Sequence, residues 1–245
     1  MTVTQRDPVV LHARAAHPFA TDASGGALDE TTRRGPPGRA DISLVIAHQP
    51  FDAHSERVRA LRTELLLRRQ GPGALCVALL SPCHGEGRSQ LVAELAIAFA
   101  RTGRPTLLVD ADLRRPRQHE LFGVDNRTGL SDALQDGAPP LLHAVEGLPT
   151  LSLLSAGRTP QNPLELLADD RFGALVDGWR ANYGFVLFDT PPVRDFSDAL
   201  AVSTIVGQVL TLSRAQHTPY HDARELLKRL AATQARVLGA VINHF

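Results

Sequence analysis

The sequence predicts an α/β protein in which a mostly parallel sheet carries helices on both faces. Two observations support this fold class. Segments of strand character alternate along the chain with segments of helical character. The strand segments are apolar throughout, which is typical of parallel strands that are buried on both faces. No internal repeat or second domain is indicated, so residues 41–245 are expected to form one domain.

Residues 1–40 differ in composition and are predicted to form a flexible N-terminal arm. The segment TDASGGALDETTRRGPPGRA, residues 21–40, is rich in glycine, proline and charge and has no sustained apolar period. Such a segment cannot bury enough apolar surface to offset the entropy that ordering would cost. The predicted domain therefore begins at Asp41.

The predicted elements follow one another from this point to the end of the chain. After the apolar ISLVIA, the segment SERVRALRTELLLRR predicts an amphipathic helix with Ser55 as its N-cap, and GPG ends it. ALCVALLS then predicts a strand that is buried on both faces. The later elements are a helix from about Arg88 to Arg101, a strand at 106–110, a strand near Leu151, a helix in RFGALVDGWRANY, a strand ending at Asp189, a strand at 206–213, a helix from Pro219 to about Thr233, and a final strand in VLGAVIN.

The composition gives no reason to expect nucleic acid or lipid as a direct partner. The formal net charge is +0, with 26 basic and 26 acidic residues. The longest apolar run, LVAELAIAFA, contains Glu94 and is too short to cross a bilayer, and no signal peptide is indicated. Cys76 and Cys83 suit a reducing compartment and lack metal-site spacing. The expected location is therefore the cytoplasm, with no direct membrane span.

Polar and glycine residues follow the predicted strands at the points where these end. In an open parallel sheet the carboxyl ends of the strands meet at one edge, and ligands bind there. The chain is thus expected to bring a glycine-rich turn, a cation, a hydroxyl, an amide and three carboxylates to that edge. The residues concerned are Gly85, Gly87, Arg88, Ser89, Asp110, Asp112, Asp189 and Asn243.

The glycine-rich turn predicts a phosphate site. Gly85 and Gly87 allow backbone N–H groups to converge on phosphate oxygens without a Cβ in the way. The helix that begins at Arg88 directs its N-terminus at the same anion. Together these features favour a nucleoside triphosphate as the ligand.

The hydroxyl and the carboxylates predict Mg²⁺ beside that triphosphate. Ser89 would give its hydroxyl to the ion, and Asp189 would hold it through a water molecule. Asp110 and Asp112 would complete the metal shell or activate the attacking oxygen.

Arg88 stands where a phosphate-binding loop normally carries lysine. Lys228 is the only lysine of the chain, so a general replacement of lysine by arginine is one explanation. Arginine presents a wide planar fork and lysine a compact ammonium group. Phosphate binding is expected to survive this exchange, whereas alignment of the phosphate for transfer is the more demanding requirement.

Several segments in this order resemble the bacterial tyrosine kinases of exopolysaccharide synthesis, and most closely their EpsG-type chain-length-determinant members. They are RALRTEL, GEGRSQ, LLVDADLRRPRQH, NPLELL, FDTPP and LGAVIN, within residues 42–245. The resemblance implies a deviant P-loop ATPase fold related to partitioning ATPases, with ATP and Mg²⁺ as cofactors. It also implies transfer of phosphate to tyrosine hydroxyls, and activation by a membrane polysaccharide co-polymerase, the chain-length determinant.

The resemblance further implies roles for individual residues. The Walker A loop would be Gly85, Glu86, Gly87, Arg88, Ser89 and Gln90, the Walker A′ motif Asp110 and Asp112, the Walker B aspartate Asp189, and Asn243 would contact adenine. Family members often end in a tyrosine cluster, which is absent here because the only tyrosines are Tyr183 and Tyr220.

Glu56, Arg59 and Arg62 match the E-x-x-R-x-x-R pattern of the family. Their spacing of three places them on one face of a helix. In the family this face docks on the next subunit, which implies a homo-oligomer such as a ring. The alternative is a charged face that simply contacts solvent.

Taken together, these features predict a cytoplasmic protein tyrosine kinase that acts in exopolysaccharide chain-length control and is recruited to the inner face of the membrane by its partner. Asp110 would assist the acceptor hydroxyl, and Arg88 would neutralise phosphate charge. One alternative is a non-catalytic, ATP-gated assembly scaffold. Another is a partitioning-type ATPase, which is weaker because Pro82, Cys83 and His84 occupy the region where those proteins carry a further lysine.

Overall fold

An eight-stranded sheet organises the part of the chain that the computed structural model describes, residues 33–69 and 71–244. The strand order is β1-β4-β5-β3-β6-β2-β7-β8. The strands are β1 (Arg33–Gly38), β2 (Leu75–Leu80), β3 (Thr106–Asp110), β4 (Leu141–Val145), β5 (Leu148–Leu154), β6 (Phe185–Asp189), β7 (Gln208–Arg214) and β8 (Arg236–Asn243). The helices are α1 (Val45–His48), α2 (Ala53–Leu67), α3 (Arg88–Ala100), α4 (Gln118–Leu121), α5 (Leu130–Asp136), α6 (Pro163–Ala168), α7 (Asp170–Asn182), α8 (Asp198–Val206) and α9 (Tyr220–Ala231).

The predicted mostly parallel α/β sheet is confirmed. Strands β2, β3 and β6 are buried along their whole length, which explains their uninterrupted apolar sequences. β2 runs parallel to β6 and β7, and β3 runs parallel to β5 and β6. Their carboxyl ends therefore lie side by side at one edge of the sheet.

Aromatic side chains fill the layers on both faces of β6. On one face Phe188 packs against Phe172 and Trp179 of α7, with ring centroids 6.1 Å apart in both pairs. On the other face the rings of Phe185 and Phe99 have centroids 4.4 Å apart. Helix α3 carries Phe99 and is buried over most of its length, so it is fixed against the sheet.

Strand β1 corrects the predicted boundary between arm and domain. The segment RRGPPG was assigned to the arm, but Arg33–Gly38 pairs parallel with β4 at the edge of the sheet. Its two prolines lack an N–H group, which an edge strand tolerates because one of its sides is unpaired. Residues 1–32 of the predicted arm lie outside the described residues.

The predicted N-cap of α2 is wrong. Asp52 is the N-cap, since its side chain accepts a hydrogen bond of 2.7 Å from the backbone N–H of His54. Ser55 lies inside the helix, is buried, and donates its hydroxyl to the carbonyl oxygen of Gln49 at 2.7 Å. Both residue types cap helices, so the sequence alone did not distinguish them.

Elements that the sequence analysis did not assign complete the fold. Strand β4 forms an antiparallel pair with β5, the exception to the otherwise parallel pairing in the described sheet. Helices α1, α4, α5, α6 and α8 are also additions, and four of these have seven residues or fewer. Among helices of the described ranges, none is both long and apolar enough to cross a membrane.

Candidate nucleotide site

The carboxyl edge of the sheet brings three aspartates together. Asp110 and Asp189 end neighbouring strands and are directly paired in the register of β3 and β6. Asp112 follows two residues after Asp110. Asp110 and Asp189 are fully buried and Asp112 is 4% exposed. These three residues are called the acidic cluster below.

The glycine loop, residues 81–87, connects β2 to α3 beside this cluster. Gly85 and Gly87 have φ angles of 73° and 87°, in the left-handed region that favours glycine. Gly87 is the N-cap of α3 and supplies no capping side chain. The first N–H groups of a long buried helix therefore face the same edge as the acidic cluster, an arrangement that suits an anion.

Glu86 supports the glycine loop from inside the protein. Its carboxylate is 1% exposed and accepts hydrogen bonds from the Cys83 N–H, at 2.9 Å, and from the Thr218 hydroxyl. Its backbone carbonyl accepts a bond of 3.0 Å from Nδ2 of Asn243. The structure thus places Asn243 against the backbone of the loop, at the end of β8.

The segment after β7 also contacts the glycine loop. Arg214 donates from Nη1 to the carbonyl oxygen of Gly85 at 3.1 Å, and Nε2 of His217 lies 3.1 Å from the carbonyl oxygen of His84. The sequence did not single out Thr218, Arg214 and His217 as neighbours of the loop. Their position at or just after the end of a sheet strand was the available signal.

Asp110 is held by backbone groups. Its Oδ1 accepts from the N–H of Asp112 at 3.2 Å, and its Oδ2 accepts from the N–H groups of Arg117 and Gln118 at 3.1 and 2.9 Å. The carboxylate thereby closes the segment between β3 and α4 into a compact turn. Both of its oxygens are engaged within the protein.

Arg88 lies in the acidic cluster. Its Nε donates to Oδ1 of Asp189 at 3.2 Å, and its Nη2 donates to Oδ2 of Asp112 at 3.4 Å. Its Nη1 donates to Oγ of Ser81 at 2.6 Å. Arg88 is only 8% exposed, so this is a buried cation among buried anions.

Gln118 connects the acidic cluster to the start of α3. Its Nε2 donates to Oδ2 of Asp189 at 2.8 Å and to the carbonyl oxygen of Ser89 at 3.0 Å. Its Oε1 is buried without a hydrogen-bond partner in the described protein. Sequence analysis missed Gln118, since no spacing rule relates it to either strand end. The neighbouring Gln90 turns away and donates to the carbonyl oxygen of Ser43 at 3.0 Å.

The acidic cluster is electrostatically strained. Burial, and then the adjacent Asp189 carboxylate, raises the pKa of Asp110 well above its ordinary value. The same two causes raise the pKa of Asp112, while hydrogen bonds from Arg115 and Arg114 and the charge of Arg88 act in the opposite direction. A further positive charge beside the three carboxylates would reduce the repulsion between them.

The residues present fit Mg²⁺ and phosphate. Asp112, Asp189 and the half-buried Ser89 offer only oxygen atoms, the donors that Mg²⁺ prefers. Within the described ranges no group of three or more His, Cys, Asp or Glu side chains is arranged to hold a metal ion by itself. Mg²⁺ usually takes one or two carboxylates and completes its shell with water and phosphate.

The residues of the E-x-x-R-x-x-R pattern lie on α2, away from the acidic cluster. Arg59 forms an ion pair with Glu56 at 2.5 Å, and Glu56 has 64% of its side chain exposed. Arg62 instead donates from Nη1 to the carbonyl oxygen of Ala98 in α3 at 2.9 Å. The three side chains thus do not act as one free surface, because Arg62 is used within the chain.

Cys83 of the glycine loop is expected to react slowly with alkylating agents. Burial, and then its hydrogen bond to Asp222, raises the pKa of the thiol to about 11. At pH 8 we therefore expect iodoacetamide to modify Cys83 on the order of 100-fold more slowly in the folded than in the denatured protein, since the thiolate is the reactive form. Peptide mass spectrometry over time measures both rates. Equal rates would show that the thiol is not protected.

A family model and curated relatives match this chain. The family model described as cellulose biosynthesis protein BcsQ matches residues 76–235. EpsB of Ralstonia nicotianae, whose name assigns it to the tyrosine-protein kinases, is 37% identical over 201 residues, which are 82% of this chain and 27% of EpsB. Tyrosine-protein kinase YwqD of Bacillus subtilis is 33% identical over 208 residues, 84% of this chain and 87% of YwqD. The chain therefore spans about a quarter of EpsB but most of YwqD.

Solved structures share the fold. The kinase domain of Escherichia coli tyrosine kinase ETK has a TM-score of 0.76 and 30% identity, and the match covers 82% of this chain and 79% of that domain. The septum site-determining protein MinD of Pyrococcus horikoshii, complexed with Mg-ADP, has a TM-score of 0.59 and 20% identity over 69% of this chain and 70% of MinD. At that identity the MinD likeness supports the fold alone.

Proposed function

The chain belongs to the family of cellulose biosynthesis protein BcsQ and, by its relatives, to the bacterial tyrosine kinases, and from this membership we propose that it is an ATP-dependent protein tyrosine kinase. Its role would be exopolysaccharide biosynthesis and chain-length control. The observation that carries this proposal is the meeting of the glycine loop with the acidic cluster at one edge of the sheet.

In this proposal the glycine loop binds the triphosphate. The N–H groups of residues 85–90 and the N-terminus of α3 would face the phosphate oxygens. Asn243 would shape the nucleotide side of the loop through its bond to the Glu86 carbonyl, next to the adenine. Glu86 itself would act by holding the loop, because its carboxylate is directed inward.

Ser89, Asp112 and Asp189 would hold Mg²⁺, which neutralises charge on the transferred phosphate when bound. Asp112 is the better placed of the Walker A′ aspartates for direct contact, because its Oδ2 is bonded to a side chain that can move. Both oxygens of Asp110 accept backbone N–H bonds. We therefore assign Asp110 the task of positioning the turn that carries Asp112, in place of direct assistance to the tyrosine hydroxyl.

The partner in this proposal is a membrane polysaccharide co-polymerase that recruits the chain to the inner face of the membrane. This partner follows from the resemblance to the tyrosine kinases of exopolysaccharide synthesis, and the matches to YwqD and to the ETK kinase domain support the kinase family itself. The exposed Glu56–Arg59 pair would lie at a contact between copies of the chain, as in a ring.

A second candidate is an ATP-gated scaffold without phosphoryl transfer. One observation favours it: the loop cation Arg88 contacts Asp112 and Asp189 in place of being free for phosphate. In that case ATP would assemble the chain on its partner with negligible turnover. The partitioning-type ATPase is supported by the fold alone.

Tyrosine phosphorylation decides between kinase and scaffold. The purified chain, the cytoplasmic segment of its co-polymerase, Mg²⁺ and labelled ATP are incubated, and phosphotyrosine is mapped by mass spectrometry. We expect label on tyrosine of the partner or on Tyr220, which is 81% exposed, and none on the buried Tyr183. Binding of Mg·ATP without any tyrosine label would support the scaffold and contradict the kinase.

A further inference from the structure

Arg88 has two sets of partners that it cannot satisfy together. It is the first residue of α3 and directly follows Gly87, so its chain position is beside the expected phosphates. Its guanidinium nevertheless bonds Asp112, Asp189 and Ser81. Because a guanidinium fork matches phosphate as well as carboxylate, either set of partners is chemically suitable.

Mg²⁺ would need the same two carboxylate groups. Arg88 contacts Oδ2 of Asp112 and Oδ1 of Asp189, the two aspartates that form the oxygen donor set of the site. A divalent cation and the guanidinium therefore compete for these atoms. The competition is strong because Arg88 and the two aspartates are nearly or fully buried, where solvent screens charge poorly.

The shape of arginine explains how it holds this position. Its planar group reaches two carboxylates and the Ser81 hydroxyl from three different nitrogens. Lysine carries a single ammonium group and would not span the three partners in one arrangement. Arginine at this position therefore makes more contacts in and around the acidic cluster than the usual loop lysine would.

We infer that Arg88 is a displaceable internal counter-ion, which occupies the acidic cluster without nucleotide and moves to the phosphates when Mg²⁺ and the nucleotide bind together. This inference rests on the proposed ATP site and adds its regulation. Mg²⁺ alone has to expel Arg88 into water, so it binds weakly. When a triphosphate is present, the guanidinium leaves the carboxylates of Asp112 and Asp189 and pairs with the phosphates. Mg²⁺ and nucleotide therefore bind cooperatively.

Mg²⁺ titration without nucleotide tests this inference. Arg88→Met removes the charge and keeps a long side chain, and Arg101→Met at the other end of α3 is the control, since Arg101 bonds the Ala47 carbonyl. We expect Arg88→Met to lower the melting temperature in EDTA by on the order of 10 °C, because a buried charge network loses its cation. Mg²⁺ should restore about 5 °C or more of this loss and should leave wild type and Arg101→Met nearly unchanged.

Calorimetry at constant ionic strength measures the affinity of wild type and of the same variants for Mg²⁺. We expect Arg88→Met to bind Mg²⁺ alone at least about 10-fold more tightly than wild type, as a coupling of this size is typical between linked sites. If Arg88→Met does not fold, Arg88→Lys serves instead. It keeps one cation with fewer contacts, and its affinity for Mg²⁺ should still exceed that of wild type.

The outcomes separate this inference from the proposed function. A wild-type protein that binds Mg·ATP, while neither Arg88 variant gains affinity for Mg²⁺, overturns the counter-ion role and leaves the ATP site standing. A wild-type protein that binds no Mg·ATP overturns the proposed function and the exchange with it. Tighter Mg²⁺ binding by the variants, with cooperative binding of Mg²⁺ and ATP by wild type, supports both.

Discussion

Replacement of Asp112 by asparagine is expected to lower tyrosine phosphorylation by about 100-fold to 1,000-fold, the range typical of a lost electrostatic contact to a reacting group. Asparagine has the shape of aspartate, and its Oδ1 can still accept the backbone N–H groups of Arg114 and Arg115. The change therefore removes a charge near the transferred phosphate without opening the turn. Rates of phosphotyrosine formation with the co-polymerase segment measure the effect.

The melting temperature of Asp112→Asn and the activity of a surface variant serve as controls for this prediction. Asp112→Asn also removes repulsion from Asp189, one cause of the raised pKa of Asp112, so the melting temperature should change little. The control is Asp177→Asn on α7, an aspartate with 75% of its side chain exposed, which should retain the wild-type rate. Equal activity of wild type and Asp112→Asn would remove Asp112 from the catalytic site.

Replacement of Phe188 by alanine is expected to lower the free energy of unfolding by about 3–5 kcal/mol, the usual cost of removing a large buried aromatic side chain. Phe188 is fully buried in β6 and packs edge-on against Phe172 and, on the same face of the sheet, against Trp179. Collapse of α7 into the cavity is opposed by the burial of Phe172, Val176 and Trp179 on the same helix. Urea denaturation measures the change.

The matched control is Phe51→Ala. Phe51 is 92% exposed, and its removal should change the free energy of unfolding by less than about 0.5 kcal/mol. A loss below about 1 kcal/mol for Phe188→Ala would show that the aromatic layer repacks around the gap. Because Asp189 follows Phe188 directly, a lasting cavity should also weaken binding of Mg·ATP.

Sequence patterns were sufficient for the general features of this protein. Uninterrupted apolar strands predicted the buried parallel sheet, since only parallel strands covered on both faces favour such sequences. The position of Asp110 and Asp189 after two of these strands predicted that they would meet, because parallel strands end at the same edge. Gly85 and Gly87 predicted a glycine-rich turn before α3, and the φ angles of both residues lie in the left-handed region.

Local signals were insufficient where a choice depended on distant residues. RRGPPG has little strand character, and it becomes β1 only because the edge of β4 is available to pair with it. Ser55 and Asp52 are both good caps, but in the folded chain Asp52 caps α2 and the Ser55 hydroxyl bonds the carbonyl oxygen of Gln49. The contacts of Gln118 and Thr218 join residues 71 and 132 positions apart, respectively, and no spacing rule extends so far.

The sequence by itself determined the fold, the edge at which the site lies and the kinds of groups that meet there, because these follow from apolar periodicity and from the order of the strands. Only the tertiary structure decided the direction of Arg88. An arginine side chain can reach phosphate or carboxylate, and the choice depends on which anions the folded chain places within its reach. In this protein those anions are Asp112, which lies just after β3, and Asp189, which ends β6.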